Sequence, residues 1–257
     1  MEKSVESFGL ISIIMAAYNA EKTIGFAIDS VINQTYQNWE LLVVNDCSKD
    51  NTENIIKSYT DKDSRVKLIS NAENLGVSLT RLEALKNCSG DWIAILDSDD
   101  AWMPEKLEKQ IELQLDRNAD LIFTGVKYIK ADGTPLDWEM KVPQQVHYKK
   151  LLKQNVITNS SALVKKQLYT NGYAIGDEMH EDFAVWLNVL KAGITACAVN
   201  EPLIIYRVSE NSKSGNKLKS AVMNWKTYKY IGLNPFASAY YMIWYTVNGV
   251  LKYRHLK

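Results

Sequence analysis

Apolar residues fall into short runs separated by polar segments, and the period of the runs changes in a regular order. Leu10–Met15 (LISIIM), Glu40–Val44 (ELLVV), Arg65–Ser70 (RVKLIS) and Trp92–Leu96 (WIAIL) are brief runs with little polar alternation. That is the pattern of strands covered on both faces. Between them apolar positions recur at helical spacing: Ile24, Ile28, Val31 and Ile32, then Ile55, Ile56 and Tyr59, then residues 77–87. Asp50 and Glu53 suggest a capping box at the second helix. Pro104 suits the first turn of a fourth, which runs to about Arg117. Strand and helix alternating in this way predict a parallel α/β layer.

The second half is less regular. Leu121–Thr124, Thr158–Val164 and Thr195–Val199 read as strands, and Lys130–Pro135 holds a DG turn. Asp182–Ala192 is an amphipathic helix ended by Gly193. From Ala221 onward the chain reads as helical and aromatic.

The 257 residues are 46% hydrophobic and 23% charged, which excludes a disordered chain and a disulfide-stapled miniprotein. Lys plus Arg equals Asp plus Glu at 30 each, so nothing marks a nucleic-acid binder. The balance hides an asymmetry. No acid follows Glu210, while Lys213, Lys217, Lys219, Lys226, Lys229, Lys252, Arg254 and Lys257 do. Residues 1–210 therefore carry 22 basic and 30 acidic groups, a net charge of −8. Cys47, Cys88 and Cys197 form no CxxC, and His147, His180 and His255 form no HExxH. This usage fits a reducing compartment and no zinc site. The opening MEKSVESFG lacks the apolar run of a signal peptide, so a cytoplasmic location is expected.

Four polar clusters follow expected strands: Ala16-Ala17-Tyr18-Asn19, Asn45-Asp46, Asn71 to Asn74, and Asp97-Ser98-Asp99-Asp100. Ligands of an open parallel sheet bind outside the carboxyl ends of its strands. Three carboxylates in four residues repel one another unless a cation neutralises them, and such oxygen ligands suit Mg²⁺ or Mn²⁺ bridging to a diphosphate. A solvated turn capping the next helix is the plainer reading of the same residues. Neither GxGxxG nor GxxxxGK[ST] occurs, so dinucleotide oxidoreductases and P-loop NTPases are disfavoured.

These pieces resemble an inverting family 2 glycosyltransferase over residues 9–212. The resemblance rests on SIIMAAYNAEKTIGFAIDSVINQTYQNWELLVVNDCSKDNT, NLGVSLTRLEAL, GDWIAILDSDDAWMPEKLEKQ, HEDFAVWLNVL and YRVSENSKS, in that order. It implies a GT-A fold: an α/β, Rossmann-like, mostly parallel sheet with helices on both faces and a C-terminal helical tail. It implies a domain over 1–220, with residues 1–100 the nucleotide-binding half and 101–220 the acceptor half, and a tail over 221–257. The subgroup it resembles builds bacterial surface polysaccharides such as teichuronic acid, capsule or O-antigen.

The resemblance also implies roles. Tyr18 would stack on uracil and Asp46 would hydrogen-bond it, with Ala16 and Ser98 lining the same donor site. Cys47 stands where Gly is common in the family. Arg81 would contact ribose or phosphate, Asp97 the ribose or metal shell, and Asp99 the Mn²⁺ or Mg²⁺ directly. Asp182 would be the general base, since the attacking hydroxyl must lose a proton. Asp100, Trp102, His180, Glu181 and Arg207 are candidate acceptor or leaving-group contacts. Plainer roles stand beside these: acids opening a helix for Glu181 and Asp182, packing for Trp102, surface pairing for Arg81, support of the acidic turn for Asp100, a structural role for His180, a core aromatic for Tyr18 and a turn or cap for Asp46. The implied partners are a UDP-sugar and a glycan or polyprenyl-linked acceptor, with self-association open. The processive motif QxxRW is absent, so one sugar per acceptor is expected. The competing classes are a sugar nucleotidyltransferase, whose Gly-rich first loop is missing, and a non-catalytic nucleotide-sugar-binding module. The tail admits an interfacial helix on the inner membrane face, or a helix packed back on the body or in a dimer interface.

Overall fold

The computed structural model describes residues 4–208 and 217–253. Ser209-Glu210-Asn211-Ser212 of the YRVSENSKS piece, with Lys213, Arg254, His255 and Lys257, lies outside the described residues. In chain order the elements are β1 (Ile11–Ala17), α1 (Ile24–Ile32), β2 (Trp39–Asn45), α2 (Thr52–Thr60), β3 (Val66–Ser70), α3 (Val77–Lys86), β4 (Trp92–Ile95) and β5 (Ala101–Trp102). There follow α4 (Lys106–Arg117), β6 (Leu121–Lys130), β7 (Pro135–Met140), β8 (Gln145–Val146), α5 (Tyr148–Lys153), β9 (Leu163–Lys165) and α6 (Lys166–Gly172). The chain closes with α7 (Glu181–Lys191), β10 (Ala196–Val208), α8 (Lys217–Tyr230) and α9 (Pro235–Tyr253).

One sheet runs through the molecule in the order β3-β2-β1-β4-β9-β6-β10-β5. The six principal strands β3, β2, β1, β4, β6 and β10 share one direction, with short β9 inserted antiparallel between β4 and β6. Every residue of β2 and β4 is buried, which explains apolar runs without alternation. Register levels the strand ends: Ala17 lies opposite Asn45, and Asn45 opposite Ser70. The polar loops after β1, β2, β3 and β4 therefore emerge at one edge.

The structure corrects several expectations. No capping box opens α2. Glu53 turns instead to Lys57 (2.6 Å) and accepts from Asn45 Nδ2 (2.8 Å). Thr158–Val164 is not one strand. Asn159–Ser161 form a 3₁₀ turn, because these buried polar side chains bond elsewhere than in the ladder. The strand expected over Thr195–Val199 continues to Val208. Its register against β6 shifts on both sides of Pro202, which has no N–H to give the ladder. The boundary expected at 220 falls inside α8. Met223, Tyr228 and Ile231 are buried, and the last two belong to the main core. The tail thus packs on the body, as two helices joined through Gly232 at φ +85°.

Candidate active site

The level strand ends open onto a cleft of about 590 Å³. Of the expected donor-site residues, Ala16, Tyr18, Asp46, Arg81, Asp97, Ser98 and Asp99 all line it. Tyr18 is 50% exposed and offers a free ring face. Asp46 is buried, and its carboxylate accepts from Asn71 Nδ2 (2.9 Å), Leu75 N (2.8 Å) and Gly76 N (3.0 Å). It shapes the turn before α3 while facing the cleft.

The acidic turn after β4 is braced from a distance. Ser160 Oγ accepts from Asp97 N (3.1 Å) and donates to Asp100 Oδ2 (2.6 Å), so one hydroxyl ties both ends of the turn. Asn159 Nδ2 donates to Asp97 Oδ1 (3.2 Å). Arg207 completes the brace: its N donates to Asp100 Oδ1 (3.1 Å) and its Nε to the Asp99 carbonyl (3.1 Å). Burial and the neighbouring Asp97 charge push Asp99 up to about 6. Burial, with Asp99 and Asp97, pushes Asp100 well above the usual carboxylate range.

Arg81 joins the two halves of the site. It is nearly buried on α3, with Nη2 2.5 Å from Asp97 Oδ1 and Nη1 3.1 Å from Glu181 Oε1. Burial works against its charge, but the Asp97 and Glu181 carboxylates more than offset this and hold it protonated. Glu181 and Asp182 open α7. Asp182 is half-buried. Burial first, then the Glu181 charge, raise its pKa above the usual carboxylate value.

Sequence reasoning missed Asp177, Asn159, Ser160 and Tyr206 as parts of this site. Asp177 and Tyr206 line the cleft. Asp177 Oδ1 accepts from Ser78 N (3.3 Å) at the start of α3. A Cβ on Gly76 would lie 1.9 Å from Asp177 Oδ2, and Gly76 sits at φ +81°, so only glycine fits. A helix opened by glycine lacks a capping side chain of its own, which is the one signal that an acceptor comes from elsewhere.

Four candidate contacts lie outside the cleft lining and brace neighbouring structure. Trp102 is buried, with Nε1 donating to Ser160 O (2.8 Å) and Lys106 Nζ 3.9 Å from its ring centroid; it packs instead of facing a sugar. Asp100 is buried beneath the turn. His180 binds Ser220 through Nε2 (3.1 Å to Oγ) and donates its N–H to Thr227 Oγ1 (3.1 Å), fixing α7 to α8. Arg207 is spent on the acidic turn, with a further bond from Nη1 to Ala131 O (3.1 Å).

Among the described residues no group of three His, Cys, Asp or Glu is set to hold a metal unaided. Asp97 and Asp99 nonetheless fit a divalent cation. Two carboxylates share a cleft edge, one of them raised by burial and then by the other's charge. Mg²⁺-type ions take one or two carboxylates and complete their shell with phosphate and water.

The sequence matches the family described as Glycosyl transferase family 2 over residues 12–172. It is 36% identical over 244 residues to TuaG of Bacillus subtilis (strain 168), named for teichuronic acid biosynthesis, covering 95% of this chain and 97% of that one. It is 38% identical over 246 residues to Escherichia coli WfgD, covering 95% of both chains. WfgD is named as a UDP-Glc:alpha-D-GlcNAc-diphosphoundecaprenol beta-1,3-glucosyltransferase. Among solved structures, S. aureus TarS 1-349 in complex with UDP-GlcNAc aligns at TM-score 0.71 and 19% identity, covering 90% of this chain and 70% of that one. The mannosyltransferase PcManGT from Pyrobaculum calidifontis, in complex with GDP-Man and Mn²⁺, aligns at 0.67 and 16%, covering 91% and 68%. These two likenesses show the fold, which is GT-A.

Proposed function

The chain belongs to glycosyl transferase family 2 and is a glycosyltransferase of surface-polysaccharide biosynthesis; from that premise we propose that it moves a sugar from a UDP-sugar to a diphospho-lipid-linked glycan, with inversion at the anomeric carbon. The observation that carries this reading is the Arg81 bridge, which sets a nucleotide-sized cleft with two carboxylates against the acidic start of α7. A relative acting on a diphosphoundecaprenol acceptor supports the acceptor class.

In this reading Tyr18 stacks on the base and Asp46 holds its edge, while Asp97 and Asp99 hold a divalent cation with the diphosphate. When bound, that ion offsets negative charge growing on the leaving UDP. Asp182 takes the proton of the acceptor hydroxyl as it attacks from the side opposite UDP. A raised pKa makes its carboxylate a stronger base for that proton. Glu181, held by Arg81, fixes the first turn of α7 and hence the aim of Asp182.

The test is UDP release from UDP-glucose with Mn²⁺ and a GlcNAc-diphospho-lipid acceptor, alongside calorimetry of UDP. Asp182→Asn is expected to keep UDP affinity and lower turnover by about 10²–10⁴-fold. Lost UDP affinity with normal turnover per bound donor would make Asp182 a donor contact instead.

A further inference from the structure

Helices α8 and α9 carry most of the exposed large apolar side chains among the described residues. Nine of the fifteen exposed large apolar side chains among the described residues lie between Leu218 and Val247. On α9 they are ordered. Phe236, Tyr240, Ile243, Trp244 and Val247 recur at spacings of three and four and form one stripe down the helix. Phe236 is 88% exposed and Ile243 66%. The other side of α9 is occupied: Ser238 is buried, and Tyr241, Met242 and Tyr245 pack on the core. This helix is therefore apolar on two sides, and the body covers only one. A contiguous exposed apolar face of this kind marks an interaction surface.

Charge selects the occupant. The neighbouring α8 exposes Lys219, Lys226 and Lys229, and α5, packed on α9, exposes Lys149 and Lys150. Lys153 Nζ lies 4.8 Å from the Trp244 ring centroid, at the stripe itself. No acid follows Glu210 in the chain. A second copy seated on this stripe would bring like charges together on both sides. An anionic bilayer surface satisfies rings and ammonium groups at once. No helix among the described residues is long and apolar enough to cross a membrane, so α9 would lie on the surface and not span it.

We propose that the exposed stripe of α9, flanked by the lysines of α5 and α8, docks this protein on an anionic lipid surface. The stripe enters the boundary between headgroups and acyl chains, and the lysines meet the headgroups. This does not rest on the transferase reading, since it uses no residue of the cleft.

The experiment is co-sedimentation of the full chain with vesicles, without donor or acceptor. Vesicles of phosphatidylcholine carrying about 30% phosphatidylglycerol are compared with pure phosphatidylcholine at about 0.05 M and about 0.5 M salt, where screening differs severalfold. The chain is expected to bind the anionic vesicles at low salt and to release at high salt. The triple variant Phe236→Ser, Ile243→Ser, Val247→Ser is expected to lose about tenfold or more in vesicle affinity, because apolar burial drives interfacial insertion. Its melting temperature and UDP affinity should stay unchanged. Absence of vesicle binding by the parent chain at low salt overturns the proposal, and so does binding that survives in the triple variant. Ultracentrifugation supplies the third outcome: a dimer that the triple variant dissolves, with no difference on vesicles, makes the stripe a contact between copies.

Discussion

Asp99 is an acid whose surroundings oppose its ionisation, and that has a measurable sign. Its folded-state pKa is about 6 against an ordinary 3.8, raised by burial and by Asp97. A raised carboxylate stabilises the fold below its unfolded pKa, and that stability is lost as pH rises through the folded value. In metal-free protein the melting temperature should therefore fall between about pH 4 and pH 6 from this group. Asp99→Asn should flatten that fall and raise the metal-free melting temperature at pH 7 by about 2–4 °C, the effect of roughly 1 kcal/mol in a chain of this size. The same variant should lose Mn²⁺-dependent UDP binding in calorimetry; a variant whose melting temperature falls as steeply as the parent's from about pH 4 to pH 6 would contradict the strained-carboxylate account. Arg81 gives a second expectation. Asp182 is raised by burial and Glu181 and lowered by His180 and Arg81. Arg81→Met should accordingly move the acid limb of the pH–rate profile upward and cost several kcal/mol, by stranding Asp97 and Glu181. Arg81→Lys should restore much of the stability but less of the rate, since one ammonium does not fork to two carboxylates. Placement that depends on local sequence was legible. Tyr18, Asp46, Ser98 and Asp99 each sit in a loop just after a strand, and Cys47, where the family favours Gly, does adopt φ +59°. For Trp102, Asp100 and His180 the sequence left contact and support both open, because the partners that decide, Ser160, Arg207 and Ser220, lie far along the chain.

At the scale of elements, legibility follows packing. The buried strands β1, β2 and β4 and the helices between them announce themselves, since burial on both faces imposes an unbroken apolar run. The second half hides its elements. Pro202 interrupts β10, the 3₁₀ turn at Asn159–Ser161 imitates a strand, and α5 and α6 have six and seven residues, too few for a visible period. The tail hid its role for another reason. Its apolar residues serve two faces, so the sequence reads as uniformly apolar and does not say which face meets the body. Tyr228 is the anchor of the inner face. It is fully buried in contact with Phe183 and Tyr241, and its hydroxyl donates to Leu152 O (2.5 Å). Tyr228→Ala is expected to destabilise the protein by about 3–5 kcal/mol, the cost of emptying a large aromatic site, read by urea unfolding. A change under about 1 kcal/mol would mean that α8 is an appendage.

For the whole molecule, one sheet runs through both expected halves, and Arg81 pairs with Asp97 from one and Glu181 from the other. A chain ended after Ser220 lacks Met223, Tyr228 and Ile231 from its interior and Thr227 from the His180 contact. It should unfold at a markedly lower temperature in calorimetry, with weakened turnover, and a truncated chain melting with the parent would show that the core closes without α8. His180 adds a consequence for synthesis. Strands β1 to β4 and the loops after them precede residue 100, whereas α7 takes its Ser220 and Thr227 partners from 40 and 47 residues further along the chain. Asp177 and Tyr206 in the cleft lining, and Glu181 beside Arg81, also belong to the second half. A nascent chain that has released only its first hundred residues therefore holds the strand ends of the cleft without the side chains that complete its wall.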